Sequence, residues 1–144
     1  MTTPAVDSRL LGLAHYAARG VLEHVLARHG ITFQQQIALR TATVNAPRTP
    51  DEVVDLVRDF LKADPAGIRA TIDELLAKRL LVVDGAHLRP TDEGRELLAA
   101  VNAEVAPISA RIWEGMPVED LAAAGRVLAL VIQRANAELA VLAH

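Results

Sequence analysis

One stretch of the sequence decides the fold: residues 75–98, which read LLAKRLLVVDGAHLRPTDEGRELL. Two short apolar segments lie on either side of Asp84-Gly85, and this pair supplies the positive φ angles that a hairpin turn requires. Thr91 then has the side chain of a helix N-cap, and the two acidic residues after it suit the positive end of a helix. The stretch therefore predicts the end of one helix, a small β-hairpin and the start of another helix.

Two helix start signals precede the hairpin. Thr49-Pro50 and Asp64-Pro65 each place a capping side chain before a proline, which is favoured at the first helical position. Apolar residues at helical spacing follow each signal, so we expect two short helices joined by residues 62–64. Two such helices followed directly by a hairpin are typical of a winged helix-turn-helix.

Further helices are predicted on both sides of this unit. Residues 8–29 carry a broad apolar face and end at Gly30, a residue that tolerates the positive φ of a helix stop. Thr32 and Gln35 have the spacing of a capping box, which starts the next helix. After the hairpin, a long helix is expected over residues 92–113.

The last predicted helix, residues 117–142, is apolar on nearly every side. A helix of this kind has to be buried, and a chain of 144 residues has little left to bury it in. We therefore expect this helix to pair with the first helix of a second chain. Pro107, inside the helix before it, is expected to introduce a kink.

The composition favours a single cytoplasmic domain. The formal net charge is −3, so any binding to nucleic acid has to use a local positive patch. The sequence contains no cysteine, which excludes disulfides and thiolate metal sites. It shows neither a basic-then-apolar secretory signal nor an apolar run long enough to span a bilayer, so no membrane association is expected.

The order of helices and hairpin, with three short motifs, resembles the multiple-antibiotic-resistance-regulator (MarR) family over roughly residues 8–142. The motifs are T-x-x-Q-x-x-x-L at 32–39, the segment 75–82, and L-x-x-T-x-x-G-R at 88–95. The resemblance implies a mainly α fold with a small β-hairpin wing, in which N- and C-terminal helices form a homodimer. The single domain, 1–144, would then contain dimerisation helices at 8–31 and 96–144 and a winged helix-turn-helix lobe at 32–95.

The resemblance also implies contact with double-stranded DNA: the helix at 65–78 would enter the major groove, and the hairpin would reach the adjacent minor groove or backbone. Ile68 and Ile72 should face the core, which leaves Ala66, Gly67, Arg69, Ala70 and Asp73 near the outer face. An exposed arginine there can form a bidentate contact with guanine, and its small neighbours allow a close approach to the groove. The alternative is an ordinary solvated helix surface.

Several further residues are candidates for phosphate contacts, which position a protein on DNA without reading its sequence. Each has a plainer interpretation as a helix cap, a surface residue or part of a solvated strand. For Arg95 that interpretation is a salt bridge with Asp92 or another nearby acid. The candidates are Arg48, Thr49, Lys62, Thr71, Arg89 and Arg95. Arg89, on the hairpin, could reach the minor groove instead of a phosphate.

A small-ligand site is a separate hypothesis. His15 and Arg19 are four residues apart, with Tyr16 beside them, near the place where the resemblance puts a pocket. They are candidates for binding an anionic aromatic compound; the alternative is polar residues at a surface or interface. The five histidines lack metal-ligand spacing and no catalytic motif is present, so neither a metal, another cofactor nor an enzymatic activity is expected.

These observations favour a dimeric winged-helix transcriptional regulator, namely a repressor that a small ligand releases from a palindromic operator. The rival hypothesis is a winged-helix module that has lost DNA binding and instead binds a protein partner or a small molecule. The short acidic tip of the hairpin favours the rival, whereas the basic residues Lys62, Arg69 and Arg89 favour the regulator.

Overall fold

The computed structural model describes residues 4–143, and it confirms the predicted order of helices and hairpin. No helix within this range is both long and apolar enough to cross a membrane. The elements are α1 (Ser8–Arg28), α2 (Phe33–Thr43), α3 (Pro50–Leu61), α4 (Pro65–Ala77), β1 (Leu81–Asp84), β2 (His87–Pro90), α5 (Asp92–Trp113) and α6 (Val118–Leu142).

The predicted caps begin α2 and α3. At α2, the Gln35 amide donates to Thr32 Oγ1 at 3.1 Å while the Thr32 amide donates to Gln35 Oε1 at 3.0 Å, which completes the capping box. At α3, Thr49 Oγ1 accepts from the Glu52 amide at 3.1 Å. Asp64 lies at the N-cap of α4, but its side chain forms no capping hydrogen bond.

A continuous apolar core joins α2, α3, α4 and the hairpin. Ile68 and Ile72 are 0% and 4% exposed, which confirms that this side of α4 faces inward. Burying an aliphatic side chain of this size contributes about 1.5–3 kcal/mol to stability. The largest side chains that are fully buried here are Leu39, Val53, Val54, Val57, Ile68, Leu75, Leu81 and Leu88.

The hairpin turn differs from the prediction by one residue. Asp84 pairs with His87 as the last partners of the antiparallel ladder, so the two-residue loop is Gly85-Ala86. Gly85 has φ +63°, whereas Asp84 belongs to β1 and does not have a positive φ. A glycine in the first of two loop positions is the pattern of a type II′ turn. The prediction that Asp84 supplies a positive φ is therefore wrong.

Thr91 and Gly94 attach the start of α5 to the end of α4. The Thr91 hydroxyl donates to the Arg79 carbonyl at 2.7 Å and accepts from the Gly94 amide at 3.0 Å, so it caps α5 as predicted. Arg79 has φ +60°, a left-handed conformation that an L-residue adopts only at a cost. At Gly94, a Cβ atom would overlap the carbonyl oxygen of Leu80. These contacts position both ends of the hairpin, because they join the residues just before β1 to the start of α5.

The chain forms two compact units, the first ending at Pro107 and the second beginning at Ile108. Pro107 lies inside α5, and the helix continues through it. In the second unit, no residue of Val118–Leu142 is buried. The large apolar side chains that α6 exposes are Val118, Leu121, Val127, Leu128, Leu130, Val131, Ile132, Leu139, Val141 and Leu142.

Candidate nucleic-acid interface

The outer face of α4 is open to solvent and built from small residues around one arginine. Ala66, Gly67 and Ala70 are exposed, as is Arg69, whose side chain is 55% accessible. Within the described range 4–143, nothing lies within 4 Å of the position that a Cβ atom would take at Gly67, so this part of the helix is uncovered. The small residues therefore leave this face of α4 shallow, and the long cationic side chain of Arg69 projects from it.

The Arg69 guanidinium is already engaged by a carboxylate. Its Nη2 atom donates to Asp51 Oδ1 at 2.8 Å, across the gap between α4 and the first turn of α3. Both side chains are more than half exposed, and an ion pair at such a site contributes at most about 1 kcal/mol. The pair orients Arg69 without making it unavailable to a competing acceptor.

Thr71 does not belong to the outer face. It is 6% exposed, and its hydroxyl donates to the Gly67 carbonyl at 3.0 Å while accepting from Gln34 Nε2 at 3.0 Å. Because both roles of the hydroxyl are used inside the protein, the expectation that Thr71 contacts phosphate is wrong. A threonine hydroxyl is equally suited to a phosphate contact and to an internal hydrogen bond. Thr71 is buried because α4 packs against α2.

The two candidate arginines of the hairpin and α5 also form ion pairs. Arg89 Nε lies 2.5 Å from Asp84 Oδ2, and the two residues are on the same face of the hairpin. Arg95 Nη1 lies 3.6 Å from Asp92 Oδ1, the salt bridge that the sequence offered as the alternative. All four side chains are more than half exposed, so these cations remain accessible from solvent.

Arg48, Thr49 and Lys62 lie around the ends of α3. Thr49 acts as the helix cap, so its hydroxyl has a structural role. Lys62 is exposed and ends α3 in the left-handed conformation, with φ +56°. The Arg48 carbonyl accepts a hydrogen bond from the Leu88 amide at 2.7 Å, which ties the segment before α3 to the hairpin.

Sequence reasoning missed Asp51 as a partner of Arg69. Asp51 lies in the first turn of α3, where an acid suits the positive end of the helix. The two residues are 18 positions apart, and no periodicity within one helix relates positions on two different helices. Only the packing of α3 against α4 brings them together.

The candidate ligand residues on α1 do not act as one group. His15 and Tyr16 stack edge to face, with ring centroids 5.3 Å apart, and Tyr16 is 70% exposed. Arg19 instead pairs with Glu23 at 2.7 Å, and its guanidinium carbon lies 4.2 Å from the centre of the Phe33 ring. Arg19 is thus held by an acid of its own helix and by an aromatic ring of α2.

A charged cluster joins the end of α1 to α5. Arg28 Nη2 lies 2.5 Å from one oxygen of Glu104, and His29 Nε2 lies 2.8 Å from the other. The hydrogen bond from Arg28, followed by the one with His29, lowers the pKa of the Glu104 carboxyl from its ordinary value. Between residues 4 and 143, no three histidine or acidic side chains come together as metal ligands.

The chain is similar to several proteins of known structure. No protein-family model matches the chain, and no curated protein matches its sequence. The transcriptional repressor CouR is 24% identical with a TM-score of 0.73, and the match covers 89% of this chain and 93% of that one. A MarR-family transcriptional regulator from Rhodococcus sp. RHA1 is 22% identical with a TM-score of 0.70, covering 90% and 96%.

A third similar structure is a MarR-family protein of Mycobacterium tuberculosis in complex with p-aminosalicylic acid. It is 16% identical with a TM-score of 0.67, and the match covers 88% of this chain and 98% of that one. Identities this low establish a common fold, and the coverage extends over nearly the whole of each chain. The protein has the winged-helix fold of the MarR family.

Proposed function

We propose that the protein is a sequence-specific DNA-binding transcriptional regulator that acts as a homodimer on a palindromic operator. The observation that carries the proposal is the exposed outer face of α4, where Arg69 stands among small residues on a winged helix-turn-helix. The fold is shared with a transcriptional repressor and with other MarR-family regulators, which supports the same class of function.

Direct readout would depend on Arg69. A guanidinium can donate two parallel hydrogen bonds to O6 and N7 of guanine in the major groove. Ala66, Gly67 and Ala70 would let the backbone of α4 approach the base edges, since none of them has a side chain longer than a methyl group. In the complex, guanine would replace Asp51 as the acceptor for Arg69.

The hairpin would contact DNA phosphates through Arg89. Lys62, at the end of α3, and Arg95, on α5, would also contact phosphates. Phosphate contacts hold a protein in register without reading bases. Because Arg89 and Arg95 each have an acidic neighbour, few counterions should be released when DNA binds. We therefore propose a shallow dependence of affinity on salt concentration.

Dimerisation would use α1, the later part of α5, and α6. The support for this is the exposed apolar surface of α6, which has the composition of an interface rather than of a solvated helix. A two-fold dimer would bind two half-sites about 10 base pairs apart, so that both copies of α4 enter the major groove on one side of the duplex.

Release by a small ligand completes the proposal. A protein of the same fold is solved in complex with p-aminosalicylic acid, an aromatic anion. His15, Tyr16 and Arg19 remain our candidates for recognising such a compound here, with Arg19 required to leave Glu23. Coupling between ligand and DNA is ordinarily about 1–3 kcal/mol.

The test is selection of bound sequences from random duplexes, followed by titrations with the selected and a scrambled duplex. Arg69→Ala should lower affinity for the selected duplex by about 1–3 kcal/mol and relax the preference at one base pair in each half-site. Ala70→Leu should block the approach of α4, whereas Ala77→Leu, also exposed but at the far end of the helix, serves as its control. Equal affinity for both duplexes, unchanged by Arg69→Ala, would exclude sequence-specific readout.

The second candidate is a winged-helix module that binds a protein partner or a small molecule without DNA. The observation that favours it is that Arg69, Arg89 and Arg95 each lie against a carboxylate. Such pairs reduce the positive potential that attracts DNA. The titrations above separate the candidates, because this module would bind neither duplex at physiological salt.

A further inference from the structure

A groove of about 250 Å³ lies between α2, the segment before α3, and α3, all within the first compact unit. It is distinct from the outer face of α4 and from the polar residues of α1. Besides Thr41, its walls consist of two cationic residues, Arg40 and Arg48, and four apolar ones: Ile37, Val44, Leu56 and Phe60.

Three of the four apolar residues are open to solvent, whereas Ile37 is buried. Phe60 is 64% exposed, Val44 is 52% exposed, and Leu56 is 41% exposed. Leu56 and Phe60 are four residues apart on α3, so their side chains lie side by side and form one continuous strip. A contiguous exposed apolar strip inside a concavity is typical of a ligand-binding site rather than of a solvated surface.

The two cations differ from the arginines of the proposed DNA interface. Arg69, Arg89 and Arg95 are paired with acids, whereas neither Arg40 nor Arg48 forms an ion pair with any residue between 4 and 143. Arg48 Nε donates to the Val44 carbonyl at 3.1 Å, and this contact holds its side chain at the groove. Its terminal amino groups have no acidic partner among residues 4–143.

We propose that this groove binds a small amphiphilic carboxylate, a molecule with an apolar body and one anionic head group. The body would cover Leu56 and Phe60, and the carboxylate would accept hydrogen bonds from Arg40 and Arg48. Guanidinium groups match carboxylates in geometry and charge, and such bonds are stronger than neutral ones. The volume is slightly below the range of about 300–1,000 Å³ for drug-sized sites, so the ligand is small.

Arg48 connects the groove to the hairpin, one of the elements proposed to contact DNA. Arg48 contributes its side chain to the groove, while its carbonyl accepts from the Leu88 amide of β2 at 2.7 Å. A carboxylate that reorients Arg48 would therefore change the environment of the Leu88 amide, which gives a local spectroscopic signal. This site does not depend on the proposed DNA binding, because its occupancy is measured on the free protein.

The experiment titrates the full-length protein with octanoate, followed by calorimetry and by the amide NMR resonances. We expect octanoate to shift the resonances of Leu56, Phe60 and Leu88. Arg40→Gln and Arg48→Gln should each weaken octanoate binding about tenfold, the loss of one hydrogen bond to a charged group. Arg58→Gln is the matched control, since Arg58 is on α3 but pairs with Asp55 and does not line the groove.

Two further arms make the result decisive. Octanol, which has the same apolar body but no charge, should bind more weakly than octanoate and should be insensitive to Arg40→Gln. Phe60→Ala should weaken both ligands without unfolding the protein, because Phe60 is largely exposed. The proposal is overturned by absence of octanoate binding at millimolar concentration, by an equal loss in Arg58→Gln, or by evidence that a second copy of the chain covers Leu56 and Phe60 in solution.

Discussion

Arg69 and Asp51 form an ion pair of 2.8 Å that joins the exposed face of α4 to the first turn of α3. The proposed base-reading cation is therefore placed by an acid from another helix. The Asp51 carboxylate binds one edge of the Arg69 guanidinium. It also adds a negative charge that would repel DNA phosphates. In the proposed complex with DNA, Asp51 would have two opposite effects: it would orient Arg69, and it would compete with DNA for this side chain.

The first prediction concerns Asp51→Asn. Removing the charge frees Arg69, so we expect the affinity for the selected duplex to rise by about two- to fivefold, in line with the small free energy of an exposed ion pair. Glu52→Gln is the control, because it removes the same charge from the same turn of α3 and Glu52 forms no ion pair with the described residues. Titrations at several salt concentrations measure both. A gain of equal size in the two variants would show that only net charge matters.

The second prediction concerns the surface of α6. Val131 lies on one face with Leu128 and Leu139, so Val131→Glu would place a charge in the proposed dimer interface. We expect the dimer dissociation constant to rise by about a hundredfold or more, because a buried unpaired charge costs several kcal/mol. Gln133→Glu introduces the same residue on another side of the helix and should leave the dimer intact. Light scattering after size-exclusion chromatography measures the mass, and a Val131→Glu variant that stays dimeric would contradict the assignment.

The third prediction concerns the junction between the hairpin and α5. Gly94→Ala would drive a methyl group into the Leu80 carbonyl, and overpacking of this kind costs about 1–3 kcal/mol in the free energy of unfolding. Gly12→Ala is the matched control, because nothing lies within 4 Å of a Cβ atom there. In the interior of α1 that change should stabilise the protein by about 0.5–1 kcal/mol. Urea denaturation followed by circular dichroism compares the two; equal stability would mean that the junction relaxes freely.

The fourth prediction concerns the pH dependence of stability at Glu104. Arg28 and His29 lower the pKa of its carboxyl below the ordinary value of 4.5, so the ionised form favours the folded state. This stabilisation is present above pH 4.5 and is lost as the pH falls through the lowered folded-state pKa.

Glu104→Gln should therefore have a lower melting temperature than the wild type at neutral pH, and the difference should shrink as the solution is acidified. Glu96→Gln, which alters an exposed acid of the same helix, should show no such trend. Thermal melts between pH 3 and pH 7, a range of about 1.5 units below and 2.5 above that ordinary value, measure both variants. A difference for Glu104→Gln that is independent of pH would show that its ion pairs do not stabilise the fold.

The sequence by itself determined the elements and their order, because helix caps and tight turns depend on residues within a few positions of one another. Thr32 with Gln35, Thr49 before Pro50, and Thr91 begin helices for this local reason. The inward side of α4 followed equally from spacing, since Ile68 and Ile72 recur at helical period and both are buried.

Tertiary packing decided the partners of the polar side chains. Thr71 is buried against Gln34 and Arg69 meets Asp51, both through contacts between separate elements. The backbone carbonyl of Arg48 likewise accepts from the Leu88 amide of the hairpin. Residue spacing along one helix carries no information about which residue of another helix will lie opposite. The groove between α2 and α3 likewise depends on how the two helices pack. Its walls come from positions between 37 and 60 that no single periodicity connects, so the sequence did not predict it.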